Sequence, residues 1–140
     1  MGIFNRNVDQ LAAKGDLRGL FTVLMGGDPV KRQQAALALG TCGREAVPYL
    51  IEALKGDDKE LRTVAAGALI SIGPEAKSAV GTLIRALDDD YYFVRWNAAT
   101  ALGEIGDRAA AQALGQLLND EYEEVRKAAF AALKKIRWED

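Results

Sequence analysis

Two sets of residues in this 140-residue chain have the type and spacing to do chemistry. The first is an arginine that recurs as Arg32, Arg62, Arg95 and Arg126, at intervals of 30, 33 and 31 residues. Guanidinium groups at a fixed repeat distance bind anions or pair with carboxylates through forked hydrogen bonds. The second is the run Tyr91, Tyr92 and Phe93 with Trp96 three residues on, the densest aromatic cluster in the sequence. Rings grouped with a cation and an amide, here Arg95 and Asn97, are the material of protein interfaces, where aromatic anchors dominate the binding energy. Catalytic sets are thinner. The sequence has no histidine, which removes the commonest general base, the commonest metal ligand and every Ser-His or Cys-His pair. Cys42 is the single cysteine, so neither an internal disulfide nor a thiolate zinc cluster is available. Serines and threonines are scattered without a base, and the glycines form no phosphate loop. Asp88, Asp89 and Asp90 read as a solvated helix start rather than a cation site. The expectation is therefore no catalytic residue, no cofactor and no metal.

Charge and composition narrow the partners. Eighteen Lys and Arg face 20 Asp and Glu, a formal charge of −2, which disfavours a nucleic-acid surface. With 49% hydrophobic residues and three prolines the chain is globular rather than disordered. Its longest uncharged stretch, Thr63 to Pro74, is too short to span a bilayer. The opening Met1 to Asn7 has neither the apolar run of a signal peptide nor the hydroxyl residue that acylation of Gly2 would need, so a reducing cytoplasm is the expected compartment.

The elements that position the arginines are repeats. Leu61-Arg62-Thr63-Val64-Ala65-Ala66-Gly67-Ala68-Leu69-Ile70-Ser71-Ile72-Gly73 returns as Val94-Arg95-Trp96-Asn97-Ala98-Ala99-Thr100-Ala101-Leu102-Gly103-Glu104-Ile105-Gly106, then from Val125 to Ile136, with an earlier copy from Lys31 to Gly43. Between the copies lie Leu-rich segments such as Val47 to Leu54, Val80 to Leu87 and Ala111 to Leu118, with apolar residues at the i, i+3, i+4, i+7 spacing of an amphipathic helix. Acids precede each Arg-bearing segment and Gly43, Gly73 and Gly106 follow three of them, which are the start and stop signals of helices. The pattern predicts an all-α chain of nine helices over 6–14, 16–25, 29–41, 44–55, 58–72, 75–88, 91–105, 108–118 and 121–137. Alanines at 35, 65, 98 and 129, and again at 38, 68, 101 and 132, let neighbouring helices approach closely, while Leu39, Leu69, Leu102 and Leu133 fill the layer between them. No hairpin can bury its face alone, so the product is an α-solenoid of about four and a half hairpins in one domain. Residues 1–27 form a degenerate capping unit, 28–56, 57–88 and 89–119 full units, and 120–140 a capping helix that Trp138 would help to cover. A cation in a first helical turn opposes the macrodipole and needs compensation. The preceding acids are the expected partners: Asp57 or Asp58 for Arg62, Asp89 or Asp90 for Arg95, and Asp120 or Glu121 for Arg126.

The sequence Asp-x-x-x-Val-Arg-x-x-Ala-Ala-x-Ala-Leu-Gly-x-Ile-Gly followed by a Leu-rich helix resembles the short HEAT repeats of the phycobilisome-lyase type, over about residues 16–137. The opening from Met1 to Asp16 resembles the start of small prokaryotic, notably archaeal, HEAT proteins. The resemblance implies that the Arg-bearing helices line a concave inner wall and that the protein binds rather than catalyses. It also names enzymatic relatives. Iron-dependent deoxyhypusine hydroxylases need His-Glu pairs that this chain lacks; alkyl-base DNA glycosylases use many basic side chains, against a pI of about 5.3 here; bilin lyases are longer and work as pairs.

On that inner wall the positions after each arginine form rows: Gln33, Thr63, Trp96 and Lys127; Leu37, Gly67, Thr100 and Ala131; Thr41, Ser71, Glu104 and Lys135. The expected site is Tyr92, Phe93, Trp96, Asn97, Thr63, Thr100 and Lys127, docking a protein or peptide with Trp96 as an exposed anchor. A bilin-lyase-like accessory subunit and a nucleic-acid-binding HEAT-like protein are the alternatives.

Overall fold

The helical periodicity becomes a stack of paired helices. The computed structural model describes residues 7–138, with side chains as far as Ile136. In order come α1 (Val8–Ala13), α2 (Leu17–Gly26), α3 (Pro29–Thr41), α4 (Val47–Leu54), α5 (Lys59–Ile72), α6 (Val80–Ala86), α7 (Tyr92–Ile105), α8 (Ala111–Gln116) and α9 (Glu123–Trp138). Among the described residues there is no strand. The side chain of Trp138 lies outside the described residues, as does the opening Met1 to Arg6.

Local chemistry sets the boundaries. Asp16, Asp28 and Asp58 cap α2, α3 and α5, each accepting hydrogen bonds from first-turn N–H groups. Before α7 and α9 the acid sits further back: Asp89 and Asp120 each accept the N–H two residues on, from Tyr91 and Tyr122, at 3.0 Å. Gly106 ends α7 at φ +79°, in the left-handed region, and donates its N–H to the Leu102 carbonyl. The Leu-rich segments depart from expectation. They are not continuous helices but begin as 3₁₀ turns at 43–46, 73–79 and 108–110, and a further 3₁₀ turn at 117–119 follows α8. Ala46, Ala76, Ala79 and Ala110 are completely buried in these turns, where side chains this small let the tighter backbone press on its neighbours. The interval from Arg62 to Arg95 is the longest of the three, and its extra residues are absorbed in the longest of these turns, where Ala76 leaves helical geometry at φ −86°, ψ 20°.

The helices form two layers. α3, α5, α7 and α9 lie side by side, with α1 closing against α2 and α3, while α2, α4, α6 and α8 each lean on the Arg-bearing helix that follows. Helices of the second layer touch one another far more sparsely than those of the first. The Arg-bearing helices thus form the more closely packed layer, the one that the resemblance to HEAT repeats places on the inner wall. Small residues make that packing possible. Ala35, Ala65, Ala98 and Ala129 have no exposed surface, and at Gly103 a methyl group would stand 2.8 Å from Ala132 Cα and 2.9 Å from its Cβ. Leu39, Leu69 and Leu102 are fully buried between helices, whereas Leu133, on the last one, is only half-buried.

The recurrent arginines join the layers in a different sense from that expected. Arg62 donates from Nε and Nη2 to Asp89 at 2.7 and 3.2 Å, and Arg95 likewise to Asp120 at 2.8 and 3.2 Å. Arg32 donates from Nη1 to Asp58 at 3.0 Å. Each carboxylate belongs to the following loop, not the preceding one. The preceding loop gives its backbone instead: Arg62 Nη1 donates to the Gly56 carbonyl at 3.0 Å, Arg95 Nη1 to those of Asp89 and Asp90 at 2.8 and 3.2 Å, and Arg126 Nη1 to that of Asp120 at 2.6 Å. Thus Asp57, Asp90 and Asp120 are not the side-chain partners of Arg62, Arg95 and Arg126. A helical side chain leans back toward its own N-terminus, which lays the guanidinium over its own loop's carbonyls and leaves its far edge to reach the next loop. Asp57 and Asp58 act on Arg62 only through the nearness of their charge. Burial alone would raise the Asp120 carboxyl, but hydrogen bonds from the Arg95 side chain and the Tyr122 N–H, with the Arg95 charge, hold it below the usual carboxylate range. Asp58 is lowered in the same way, its burial outweighed by the Leu61 N–H and the Arg32 charge.

Two outcomes follow for stability. Gly103→Ala should destabilise the fold by about 1 to 3 kcal/mol in denaturant titrations, because the α9 backbone must move to admit the methyl. Asp58 and Asp120 bind fewer protons folded than unfolded, so the stability they add is complete above the unfolded value of about 3.9 and is lost as pH falls through their lower folded values. Unfolding midpoints measured across the acid range should drop most steeply below about pH 4. Asp120→Asn should flatten that slope and cost about 3 kcal/mol at neutral pH by leaving the buried Arg95 charge without its carboxylate.

Candidate functional site

On the exposed face of the Arg-bearing layer the sequence brings together an aromatic column and a small apolar cleft. The column starts at the N-terminal end of α7. Tyr92 stacks on Tyr122 with ring centres 4.4 Å apart and on Phe93 at 4.3 Å, and Phe93 stacks on Trp96 at 5.9 Å with planes 11° apart. The four rings run from the turn before α9 into the wall of α7. Tyr91 meets Tyr92 and Phe93 edge-on and carries the Lys59 ammonium 4.8 Å from its ring centre. Trp96 is not the open ring that the row pattern implies. It is half-buried against the core because its i, i+3 neighbour Phe93 lies parallel to it. Tyr122 was absent from the expected set, although it occupies the same place as Tyr91, four residues before the recurrent arginine.

The cleft lies between α3, α5 and α7, with a volume of about 170 Å³, and its lining includes Gln33, Leu37, Thr63, Gly67, Ser71 and Asn97. Leu37 is 59% exposed there, an apolar side chain left facing solvent on the inner wall. The hollow beside it exists because position 67 has no side chain: a methyl there would touch only the Asn97 amide, at 3.6 Å. Asn97 donates to the Thr63 carbonyl at 3.0 Å, which ties α7 to α5. The hydroxyls of Thr63 and Thr100 donate to carbonyls of their own helices, Lys59 at 2.8 Å and Trp96 at 3.0 Å, so toward the groove both threonines are less polar than their letters imply. Lys127 stands apart. It pairs with Glu123 at 3.1 Å and lines a separate cleft on α9 with Leu118, Arg126 and Phe130. Glu104 and Lys135 close the third row with an ion pair between α7 and α9.

These dimensions and groups set what the site can hold. The cleft suits one or two side chains of a polypeptide and falls short of the roughly 300 to 1,000 Å³ of small-molecule pockets. Among the described residues no group of three or more His, Cys, Asp or Glu is placed to hold a metal ion. No helix of the structure is long and apolar enough to cross a membrane. Cys42 donates to the Ala38 carbonyl at 3.2 Å, and burial, with the nearby Glu45 charge, pushes its thiol up, away from the thiolate a nucleophile requires.

Comparison with known proteins agrees with the architecture. The family model described as HEAT repeats matches residues 17–80 and 56–134. No curated protein is significantly similar in sequence. Among solved structures, human deoxyhypusine hydroxylase in complex with glycerol is similar over 86% of this chain and 43% of its own, with 29% identity and a TM-score of 0.73. A designed armadillo repeat protein in complex with the peptide (KR)4 is similar over 92% of this chain and 67% of its own, with 22% identity and a TM-score of 0.70. The complex of CpcE and CpcF of phycocyanin lyase from Nostoc sp. matches over 93% of each chain, with 19% identity and a TM-score of 0.67. This chain therefore spans about two thirds of the designed protein and less than half of the hydroxylase.

The half-burial of Trp96 fixes the outcome of its removal. Trp96→Ala should lower stability by about 1 to 2 kcal/mol, well under the roughly 3 to 5 of a fully buried ring, with far-ultraviolet dichroism unchanged.

Proposed function

The chain belongs to the HEAT-repeat family, and we propose that it is a non-enzymatic scaffold whose concave wall docks a protein or peptide segment. The observation that carries this reading is the pairing of an exposed Leu37 and a side-chain-sized hollow at Gly67 with a four-ring column at one end of the same wall. An extended segment lying across the helices would seat an apolar side chain in the hollow and lay its next residues along the rings. Asn97 and the Arg–Asp pairs fix the wall before the partner arrives, so little ordering entropy is lost on association. The peptide complex of the designed armadillo protein supports this use of such a wall. A net charge of −2 favours a polypeptide over a nucleic acid as partner. The likeness to the hydroxylase is read as shared architecture, since this sequence has no histidine to offer a metal.

Selection of peptides from a random display library on the immobilised chain, followed by fluorescence titration of those selected, tests the reading. Leu37→Asp and Trp96→Ala should each weaken binding about tenfold, equivalent to roughly 1.4 kcal/mol, while Met25→Ser, on the exposed side of α2, should leave it unchanged. Selected peptides indifferent to both inner-wall changes would remove this assignment.

A further inference from the structure

The charges around the ring column are sorted by sign. Five residues before the recurrent arginine stand Asp57, Asp90 and Glu121, and two residues before it stand Glu60, Phe93 and Glu124. Tyr91, Tyr92 and Tyr122 lie between these two rows. All five acidic residues are exposed, and among the described residues none of them forms an ion pair. The cations in the first two turns of the same helices are already engaged. Arg62 and Arg95 are held by Asp89 and Asp120, Lys127 by Glu123 at 3.1 Å, Arg126 by the Asp120 carbonyl, and the Lys59 ammonium lies over the Tyr91 ring. The charge left over beside the column is therefore negative.

These carboxylates are spread along the surface rather than gathered on one point, since among the described residues no group of three or more His, Cys, Asp or Glu is placed to hold a metal ion. Such a spread sets up a field that draws in a cationic partner. Within the stack each ring face is taken by the next ring, so a visiting cation meets the carboxylates beside the rings. Toward α3 the lining changes: the cleft at Gly67 carries Gln33, Thr63, Ser71 and Asn97 and no charged side chain. The complement of a wall graded in this way is a polypeptide with an apolar residue at one place and cations at another. The two places are one helix apart across the array, about 8 to 10 Å, and an extended chain advances about 3.3 Å per residue. On the reading of this wall as a docking surface, we propose that its occupant is a basic segment, with Lys or Arg side chains beside the ring column about three to five residues from the apolar side chain seated in the Gly67 hollow.

Peptides selected on the immobilised chain from a random library should be enriched in Lys and Arg at that spacing from an aliphatic residue. Their association rate, followed by stopped-flow fluorescence, should fall about tenfold when sodium chloride is raised from about 0.05 to about 0.5 M. Asp90→Lys combined with Glu124→Lys should slow association about tenfold at the lower salt, with helicity by circular dichroism unchanged because both side chains are exposed. Glu45→Lys combined with Glu52→Lys makes the same change of net charge away from the column and should alter the rate by less than about twofold. Selected peptides that need Leu37 and Trp96 yet are neutral or acidic, that bind the Asp90 and Glu124 variant as fast as the wild type, or that are slowed equally by the Glu45 and Glu52 pair would overturn the basic-segment proposal and leave docking on the wall standing. Peptides indifferent to Leu37 and Trp96 would remove both.

Discussion

The structure depends on one arrangement repeated along the chain: a guanidinium that grips the carbonyls of its own loop and the carboxylate of the next. Arg62 and Arg95 each make both contacts, with two hydrogen bonds to the following aspartate. The same aspartate accepts an N–H from its own loop, so Asp89 and Asp120 fix a turn and a neighbour at once. Such a pair, nearly dry, adds little net energy over an apolar substitute, but losing one member leaves a buried charge. Its value to the fold is register. The arginine meets its aspartate only when helix and loop are aligned in one way, and that alignment holds the rows of the inner wall in line.

Most of the architecture is legible in the sequence because solenoids are made of local signals. The Ala-Ala pairs, the apolar periodicity and the glycines after α3, α5 and α7 each report on a few consecutive residues, and each corresponds to what the structure contains. The direction of the ladder was not legible. Acids occur in every loop, so residue type alone cannot say whether an arginine pairs backward or forward; the lean of a helical side chain decides it. The 3₁₀ starts of the second-layer segments were hidden for a related reason, since their periodicity mimics a helix over seven or eight residues. At the site, Phe93 against Trp96 followed from i, i+3 spacing, whereas Tyr122 joined the column from another repeat and needed the aligned position of Tyr91 to be noticed.

The inner wall combines rigidity with emptiness. Where a repeat needs bonding across helices, it has Asn97 or the Arg–Asp pairs; where the wall faces solvent, it carries Gly67, Thr63, Thr100 and Ser71. The few side chains that project from such a surface, Leu37 and the ring column above all, can vary without disturbing the packing beneath. The polar groups buried on this wall, Asn97 and the Arg–Asp pairs, are engaged in holding helices to one another.

The ladder is not equally dry along its length. The Arg32 and Asp58 side chains are 17% and 43% exposed, against 10% and 9% for Arg95 and Asp120. Mobile ions, whose Debye length is about 8 Å at physiological strength, therefore reach the first rung and largely miss the last. Raising salt should therefore weaken the Arg32–Asp58 pair more than the Arg95–Asp120 pair, so that the amino-terminal rung holds its register less firmly than the carboxy-terminal one.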